Sequence, residues 1–292
     1  MSTPHLENTN YHFKSRKARY FPSEGSTLKP KKRLGQVFLK NKAFLSKIIK
    51  AGGISSKDTV LEIGPGKGVL TEALLRAKAK VIAIEKDPQL VDFLKEKFKT
   101  NKNLTLIQAD IRDFLKKQDF YTEYKVVGNI PYYLTSHLIH LLLELKHKPE
   151  IIILMIQKEV AQRIVAQPPK MNLLAVSVQF YSQPEIISYV PKSAFWPQPK
   201  VDSAIIKLTP LSVIVYPAKG GADEATKQSF FKVVKAGFSH PRKLLISNLS
   251  QTFKIPKNKL QNIFQKLNLP FNIRAQNLSL ENWKDLTTHL FA

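Results

Sequence analysis

The stretch over residues 59–70 constrains the fold more than any other part of this chain. It begins as a short apolar run with β-branched residues, which is typical of a buried strand. Gly64, Gly66 and Gly68 follow at alternate positions, and apolar residues then recur at helical spacing over 69–77. Glycines in such a turn let backbone N–H groups approach a nucleotide-like ligand, because no Cβ stands in the way. The stretch therefore predicts a strand, a ligand-binding turn and a helix, with an ordinary tight turn as the alternative.

The glycine spacing narrows the kind of ligand. A dinucleotide fingerprint, Gly-x-Gly-x-x-Gly, requires a third glycine at the position that Val69 occupies here. Gly-x-Gly-x-Gly after a strand that carries an acidic residue, Glu62, is typical instead of a loop that binds S-adenosylmethionine. We therefore expect S-adenosyl-L-methionine as the cofactor.

Strand and helix patterns alternate as far as residue 210. Further buried strands are predicted at 81–85, 104–109, 125–128 and 151–156, with helical segments among them. This alternation implies a mostly parallel sheet with right-handed crossovers, and two later strands near 185–190 and 202–209 imply an antiparallel edge.

The chain divides into three predicted parts. Residues 31–210 form a Rossmann-like α/β domain, and residues 211–292 a small all-helical C-terminal domain with helices at about 225–238, 241–251, 257–267 and 279–290. Residues 1–30 are basic and lack apolar periodicity, so we expect a disordered arm that contacts phosphates, or else a solvated tail without a function.

The positive charge is concentrated in the two ends of the chain. The net charge is +24, and residues 1–50 carry 12 basic and 2 acidic side chains. Residues 211–292 carry 12 basic and 4 acidic side chains, whereas residues 51–210 carry 22 and 16. Basic ends favour a nucleic-acid partner, and an anionic membrane surface is the alternative that charge alone leaves open.

Several classes of protein are excluded by composition. The chain has no cysteine, so disulfides, thiolate zinc sites and cysteine nucleophiles are excluded, and a reducing cytoplasm is expected. The first ten residues lack the apolar segment of a secretory signal, and the longest apolar run, 151–156, is too short to span a bilayer. We expect a cytoplasmic protein without a membrane partner.

Polar residues follow four successive predicted strands. Gly64, Glu85, Asp110 and Asn129 stand at carboxyl ends, where open parallel sheets bind ligands. Glu85 lies 19 residues beyond Gly66, where a carboxylate can accept hydrogen bonds from both ribose hydroxyls. Asp110 is placed to meet an adenine amino group. Together these residues predict a cofactor that carries a nucleoside.

The sharpest motif is Asn129-Ile130-Pro131-Tyr132. Methylation of an exocyclic amine is difficult because its lone pair is delocalised into the purine ring. The Asn129 amide oxygen and the Ile130 carbonyl could accept both N–H hydrogens and direct that lone pair at a methyl group. Pro131 would fix the turn, and Tyr132 would stack on an extruded base. An ordinary Asn-Pro-type turn is the alternative.

Other residues are weaker candidates. Phe195, on a proline-rich loop over 195–203, could cover the other face of the base or could plug a core. Phosphate contacts are predicted for basic residues that could equally form a solvated face, namely Lys31, Lys32, Arg33, Arg242, Lys243 and Arg274. No metal site is predicted, because the clustered histidines near residue 140 lack an acidic partner at ligand spacing.

Five motifs stand in order over residues 31–290. They are Leu34-Gly35-Gln36-x-Phe38-Leu39, Glu62-Ile63-Gly64-Pro65-Gly66-x-Gly68, Asn129-Ile130-Pro131-Tyr132, Phe195-x-Pro197-x-Pro199-Lys200-Val201-Asp202-Ser203 and Arg242-Lys243. At this spacing they resemble the KsgA-type rRNA adenine N6-dimethyltransferases. That resemblance implies a methyltransferase that modifies two adjacent adenosines in the 3′-terminal hairpin of small-subunit (16S) rRNA, and a helical domain that docks on a pre-30S particle. We also expect a monomer.

The resemblance also implies roles for particular residues. Asn129, Ile130, Pro131 and Tyr132 would serve the target amine and base, and Phe195 would help to hold the base. The cofactor contacts that it implies are Gln36, Val37, Leu39, Gly64, Gly66, Glu85, Asp110 and Asn129.

The chain departs from the family pattern at three places. Val37 replaces the usual Asn or His, so one polar cofactor contact is missing or replaced. Pro241 and Gln276 replace an Arg and a Glu in the two basic motifs of the C-terminal part. The alternatives are the related 23S rRNA adenine methylases of the macrolide-resistance type and a non-catalytic RNA-binding assembly factor.

Overall fold

The structure is a computed structural model that describes residues 30–31, 35–117, 123–212 and 223–291. The predicted arm, 1–30, lies outside the described residues apart from Pro30, and so do Lys32 and Arg33. Of the helices in these ranges, none is long and apolar enough to cross a membrane.

Strands and helices alternate over most of the described chain. The strands are β1 (Phe38–Leu39), β2 (Thr59–Ile63), β3 (Lys80–Glu85), β4 (Leu104–Gln108), β5 (Lys125–Asn129), β6 (Ile151–Gln157), β7 (Ser182–Val190), β8 (Phe195–Trp196) and β9 (Ser203–Pro210). The helices are α1 (Ala43–Ala51), α2 (Val69–Arg76), α3 (Pro88–Lys97), α4 (Ile111–Lys117), α5 (Thr135–Glu144), α6 (Lys158–Ile164), α7 (Leu173–Tyr181), α8 (Glu224–Gly237), α9 (Leu245–Phe253), α10 (Lys257–Lys266) and α11 (Leu280–Phe291).

The central sheet has seven strands in the order β4-β3-β2-β5-β6-β9-β7. The five strands from β4 to β6 are parallel, whereas β9 pairs antiparallel with both β6 and β7. The predicted α/β fold, a mostly parallel sheet with an antiparallel edge followed by C-terminal helices, is confirmed. A separate two-stranded pair joins β1 to β8.

Both faces of the sheet are buried because successive side chains of a strand point to opposite sides. Along β2, Leu61 and Ile63 belong to one hydrophobic cluster and Val60 to the other. Helices α1 and α2 cover the Val60 face, whereas α5 and α7 cover the opposite one. Burial on both faces explains why the parallel strands read as continuous apolar runs.

The C-terminal helices extend the cluster on the α7 side of the sheet. Phe180 of α7 stacks on Phe230 of α8 with ring centroids 4.3 Å apart. Trp283 of α11 is fully buried and lies close to Gly237, where an added Cβ would be 2.3 Å from the indole ring. Glycine is therefore required where α8 meets α11, and the domain boundary at residues 210 and 211 stays a prediction.

Some element boundaries differ from the sequence-based ones. Helix α9 begins at Leu245 rather than at 241, because Pro241 lies in a turn closed by the Lys243 N–H on the His240 carbonyl, 3.0 Å apart. Helix α4 was not predicted. It follows Asp110, whose side chain accepts the Arg112 backbone N–H at 3.0 Å.

Candidate active site

The carboxyl ends of β2, β3, β4 and β5 open into one cavity. The strand order reverses between β2 and β5, which is where open α/β sheets bind ligands. The cavity is lined by all of the predicted cofactor contacts, namely Gln36, Val37, Leu39, Gly64, Gly66, Glu85, Asp110 and Asn129. The fold thus assembles at one place the side chains that the sequence spreads over nearly a hundred residues.

The glycine turn has the backbone that its sequence predicts. Gly64, Gly66 and Gly68 have φ values of 66°, 59° and 73°, a left-handed region that side chains with a Cβ rarely adopt. A Cβ on Gly66 would lie 3.0 Å from the Phe38 ring. A Cβ on Gly64 would meet only the Asn129 carbonyl oxygen, 3.9 Å away, so the turn leaves room for a ligand on that side.

Glu85 ends β3 with its carboxylate inside the cavity. Its two oxygens accept the backbone N–H groups of Gly66 at 3.2 Å and of Asp87 at 2.9 Å. Burial raises the pKa of Glu85, and these two hydrogen bonds offset only part of the rise. The carboxylate is therefore held rigidly at the edge of the glycine turn and keeps lone pairs free to accept further hydrogen bonds.

Asp110 is fixed by two cations that the motif did not predict. Arg112 donates to both carboxylate oxygens at 3.0 and 2.7 Å, and the Lys86 Nζ lies 2.9 Å from Oδ2. The Arg112 guanidinium, with help from Lys86, holds the pKa of Asp110 well below its usual value. Asp110 is therefore ionised, and each of its oxygens already accepts two hydrogen bonds when the Arg112 backbone N–H is included.

Asn129 has one half of its amide fixed and the other half unpaired. Its Nδ2 donates to the backbone carbonyl of Val37 at 2.9 Å. Its Oδ1 is buried and has no hydrogen-bond partner among the described residues. A buried acceptor without a partner is costly, so its position at the cavity wall points to a ligand that donates a hydrogen bond there.

Residues 35–39, here called the strap, line one wall of the cavity. Gln36 donates to Asp87 Oδ2 at 3.0 Å, and the Lys31 Nζ forms an ion pair with Asp87 Oδ1 at 2.7 Å. Burial tends to raise the pKa of Asp87, but the bonds from Lys31 and Gln36 outweigh it and lower that pKa. Sequence reasoning missed Asp87. Its position before Pro88 signals an N-cap, which it is for α3, but gives no sign of the strap.

Glu62 lies beneath the glycine turn and also lines the cavity. Neither of its carboxyl oxygens has a hydrogen-bond partner in the described ranges. Burial raises the pKa of Glu62 to about 8, and nearby Thr71 offsets part of that rise although it is not within hydrogen-bonding geometry. Glu62 is therefore a largely protonated acid at neutral pH.

The turn after Asn129 is built as its motif suggests, with one difference. Ile130 is buried, and Pro131 precedes a single 3-10 turn over Tyr132–Leu134. The Tyr132 hydroxyl lies 2.9 Å from the Ser203 Oγ, and its ring is not among the cavity-lining groups. The exposed Tyr133 lines the cavity instead, so a stacking role for Tyr132 stays a prediction.

Phe195 is packed in the hydrophobic core, which is the alternative to a position beside the base. Its side chain is 1% exposed and belongs to the cluster on the α1 side of the sheet. Strand β8 pairs with β1, which points the adjacent Trp196 outward at 44% exposure. A base-holding role for Phe195 would require its ring to leave this packing. Trp196 is the aromatic side chain of this loop that is already accessible.

The basic residues of the C-terminal part lie together on the surface. Arg242, Lys243 and Arg274 are all exposed, and a backbone bond of 2.9 Å from Leu245 to Ile273 joins their two segments. Lys31, in contrast, is paired with Asp87. Phosphate contacts at these positions stay predictions, and Lys32 and Arg33 lie outside the described residues.

The described residues contain no group of three or more His, Cys, Asp or Glu side chains arranged to hold a metal ion. His140, on the side of α5 that faces α8, is partly buried, and this burial lowers its pKa.

Comparison with known proteins gives consistent matches. A family model described as "Ribosomal RNA adenine dimethylase" matches residues 27–290. A protein of Dehalococcoides mccartyi named "Ribosomal RNA small subunit methyltransferase A" is 43% identical over 265 residues, which cover 90% of this chain and 89% of that protein. A protein of the same name from Fusobacterium nucleatum is 36% identical over 260 residues, covering 88% and 96% of the two chains.

Two solved structures share the architecture. A dimethyladenosine transferase from Plasmodium falciparum is 27% identical with a TM-score of 0.71, covering 87% of this chain and 97% of that one. The 23S rRNA methyltransferase ErmE is 25% identical with a TM-score of 0.70, covering 87% and 100%.

Proposed function

The chain belongs to the ribosomal RNA adenine dimethylase family, and from this premise we propose which adenosines it modifies and how its residues act. It is an S-adenosyl-L-methionine-dependent enzyme that dimethylates adenine in small-subunit rRNA. Its targets are the N6 amines of two adjacent adenosines in the 3′-terminal hairpin of 16S rRNA. It acts as a monomer, in the cytoplasm, on a pre-30S particle.

The cavity brings together the carboxylates and the open glycine turn that the cofactor requires. Glu85 supplies a fixed carboxylate for the ribose hydroxyls, and Asp110 accepts the adenine amino group in place of its exposed partner Lys86. The open space beside Gly64 lets the cofactor approach the backbone N–H groups of the glycine turn. Val37 supplies no polar side chain to this set, but its backbone carbonyl holds the amide of Asn129.

Asn129 orients the target amine. The bound cofactor supplies a methyl group activated by the positive sulfur, so the site needs positioning more than a strong base. The Asn129 Oδ1 accepts one N–H of the adenine amine, and the Ile130 carbonyl accepts the other. Both bonds favour a tetrahedral nitrogen whose lone pair faces the methyl group. The Val37 carbonyl keeps the Asn129 amide from rotating away.

The single observation that carries this proposal is the buried, unpaired Oδ1 of Asn129. The buried Glu62 carboxyl also lacks a partner among the described residues but can be protonated, whereas this oxygen can only accept. A donor delivered to this point at the end of β5, beside the glycine turn, is what an adenine amine provides.

The test is methyl transfer to undermethylated 30S particles with labelled S-adenosyl-L-methionine. We expect N6,N6-dimethyladenosine at two adjacent positions of the 3′-terminal hairpin, mapped by nuclease digestion and mass spectrometry. Label that appears only in 23S rRNA would contradict the proposal and favour the related 23S methylases, to which the ErmE likeness points.

A further inference from the structure

A basic cleft beside the active site has no role in the mechanism above. It is lined by Lys158, Lys192 and Lys200, with Glu159, Gln162, Val201 and Asp202 between them. We call it the lysine cleft. Three cations outnumber the two acidic groups, and one oxygen of Asp202 is already bound to the Lys192 backbone N–H at 3.0 Å.

The fold places the lysine cleft at the edge of the sheet that holds the active site. The first residue of β9, Ser203, pairs with Gln157 at the carboxyl end of β6. The Lys158 N–H donates to the Asp202 carbonyl at 3.0 Å, which fixes the cleft against that strand end. Strand β6 in turn lies next to β5, where Met155 pairs with Asn129.

One side-chain contact joins the residue that follows the lysine cleft to the target-amine turn. The Tyr132 hydroxyl lies 2.9 Å from the Ser203 Oγ, and Asp202 of the cleft is the residue before Ser203. When RNA places an adenosine at Asn129, the nucleotides next to that adenosine are therefore within reach of the lysine cleft.

Exposed aromatic rings accompany the lysines. Tyr189 is 48% exposed, and the Lys158 Nζ lies 5.1 Å from its ring centroid. Trp196 is 44% exposed and stacks on Phe38 of the strap, while the Lys67 Nζ lies 5.1 Å from its indole. Aromatic faces interleaved with cations are the combination that binds single-stranded nucleic acid, because bases stack on the rings while phosphates meet the cations.

We propose that the lysine cleft, with Trp196 and Tyr189, binds the unpaired nucleotides that adjoin the target adenosine. The proposal rests on the proposed function and adds a subsite to it. An adenosine reaches Asn129 only when it is extruded from its stack, so the backbone on either side must be held in a distorted form. The lysines bind the phosphates of that segment, and Trp196 stacks on a base next to the target.

The first test is the double variant Lys192→Glu/Lys200→Glu, titrated against undermethylated 30S particles. We expect binding to weaken about tenfold or more, and the slope of log affinity against log salt to fall by about 1.4, as two lost phosphate contacts on a single strand require. Affinity for S-adenosylhomocysteine should stay at the wild-type value, which also reports an intact fold.

The matched control is Lys57→Glu/Lys102→Glu. These two exposed lysines precede β2 and β4, at the amino ends of the parallel strands and so away from the active site, and the substitutions change the net charge by the same amount. We expect wild-type salt dependence for this pair. If both pairs weaken binding equally, only the overall charge matters and the proposal is wrong.

The second test compares Trp196→Ala with Trp196→Phe. Loss of the ring should weaken 30S binding about tenfold, and Phe should restore most of it, since stacking needs only an aromatic face. Equal affinity of the Ala variant and the wild type would overturn the stacking role. Failure of wild-type protein to methylate small-subunit rRNA would contradict the proposed function, whereas these binding comparisons decide the subsite independently.

Discussion

The amide of Asn129 shows how one side chain can be positioned by a contact that its own motif does not contain. The carbonyl of Val37, 92 residues earlier, accepts its Nδ2 hydrogen and leaves Oδ1 facing the cavity. The family usually has a polar residue at position 37, but a backbone carbonyl is present whatever the side chain. The departure at Val37 therefore leaves the orientation of Asn129 intact.

Asn129→Ala should lower the rate of methyl transfer by about 10²–10³-fold, the range for loss of one preorganised hydrogen bond to a reacting group. Binding to 30S particles should change little, because the reacting amine is the only group of the RNA that the amide contacts. Single-turnover methylation and equilibrium binding, measured on the same preparations, test both statements. Asn262→Ala, an exposed position on α10, is the matched control, and a near-normal rate for the Asn129 variant would place the amine site elsewhere.

The carboxyl group of Glu62 makes stability depend on pH. Its pKa is about 8 in the folded protein, against 4.5 for a glutamate in water. Between these values the folded state holds a proton that the unfolded chain has released, so raising the pH through this window lowers the free energy of unfolding.

Glu62→Gln keeps the shape of the protonated acid and removes its titration. We expect the stability of this variant, relative to the wild type, to rise as the pH increases from about 5 to 8. Urea unfolding at several pH values measures the difference, with the exposed Glu185→Gln as control. Parallel stability curves for the wild type and Glu62→Gln would show that the carboxyl is not protonated in the folded state.

The strap is held in place by residues that are distant from it in sequence. Gln36 and Lys31 both bind Asp87 at the start of α3, and Val37 of the strap binds Asn129. One buried carboxylate thus connects α3 to the segment that positions the amide of the active site.

Asp87→Ala should release the strap and remove the N-cap of α3. We expect a loss of about 1–3 kcal/mol in the free energy of unfolding and about tenfold weaker binding of S-adenosylhomocysteine. Denaturant unfolding and calorimetric titration measure these two effects. Asp223→Ala removes the N-cap of α8, a helix that does not line the cavity, so it should lower stability without changing cofactor binding. Unchanged affinity in the Asp87 variant would separate the strap from the cofactor site.

Local sequence patterns predicted the elements that have strong local signals. The glycine turn, the apolar runs of the parallel strands and the polar residues at their ends each depend on a few neighbouring residues. The β1–β8 pair could not be predicted, because two-residue strands carry no periodicity and pair across more than 150 positions. Asp87 and Lys86 were missed because their partners are distant in sequence, whereas Arg112 lies only two residues from Asp110 and was missed together with helix α4.

The burial of Phe195 marks a different limit. The motif predicts an aromatic loop near the base, and the loop is there. Which ring faces outward depends on how β8 pairs with β1, and that pairing buries Phe195 and exposes Trp196. The motif therefore predicts that this loop carries an aromatic side chain more reliably than it predicts whether Phe195 or Trp196 contacts the ligand.

The charge of the whole molecule sets how RNA binding responds to salt. A net charge of +24, concentrated in the ends of the chain, implies many phosphate contacts and release of the ions bound to them. We expect affinity for 30S particles to fall steeply between 50 and 200 mM salt, by about 10³-fold or more if six phosphates are contacted. An affinity that does not change with salt would contradict the role of the basic ends in binding phosphates.

The C-terminal cluster can be tested within the same titration. Replacing Arg242, Lys243 and Arg274 by Gln should reduce the slope by about 0.7–0.9 for each phosphate contact that is lost. Lys257, Lys259 and Lys266 on α10 carry the same total charge and are also exposed, so their triple Gln variant is the matched control. A smaller slope in the first variant alone locates the docking contacts where α8 and α9 meet the segment before α11. An equal reduction in both would mean that the C-terminal helices attract RNA through their overall charge, without a defined contact surface.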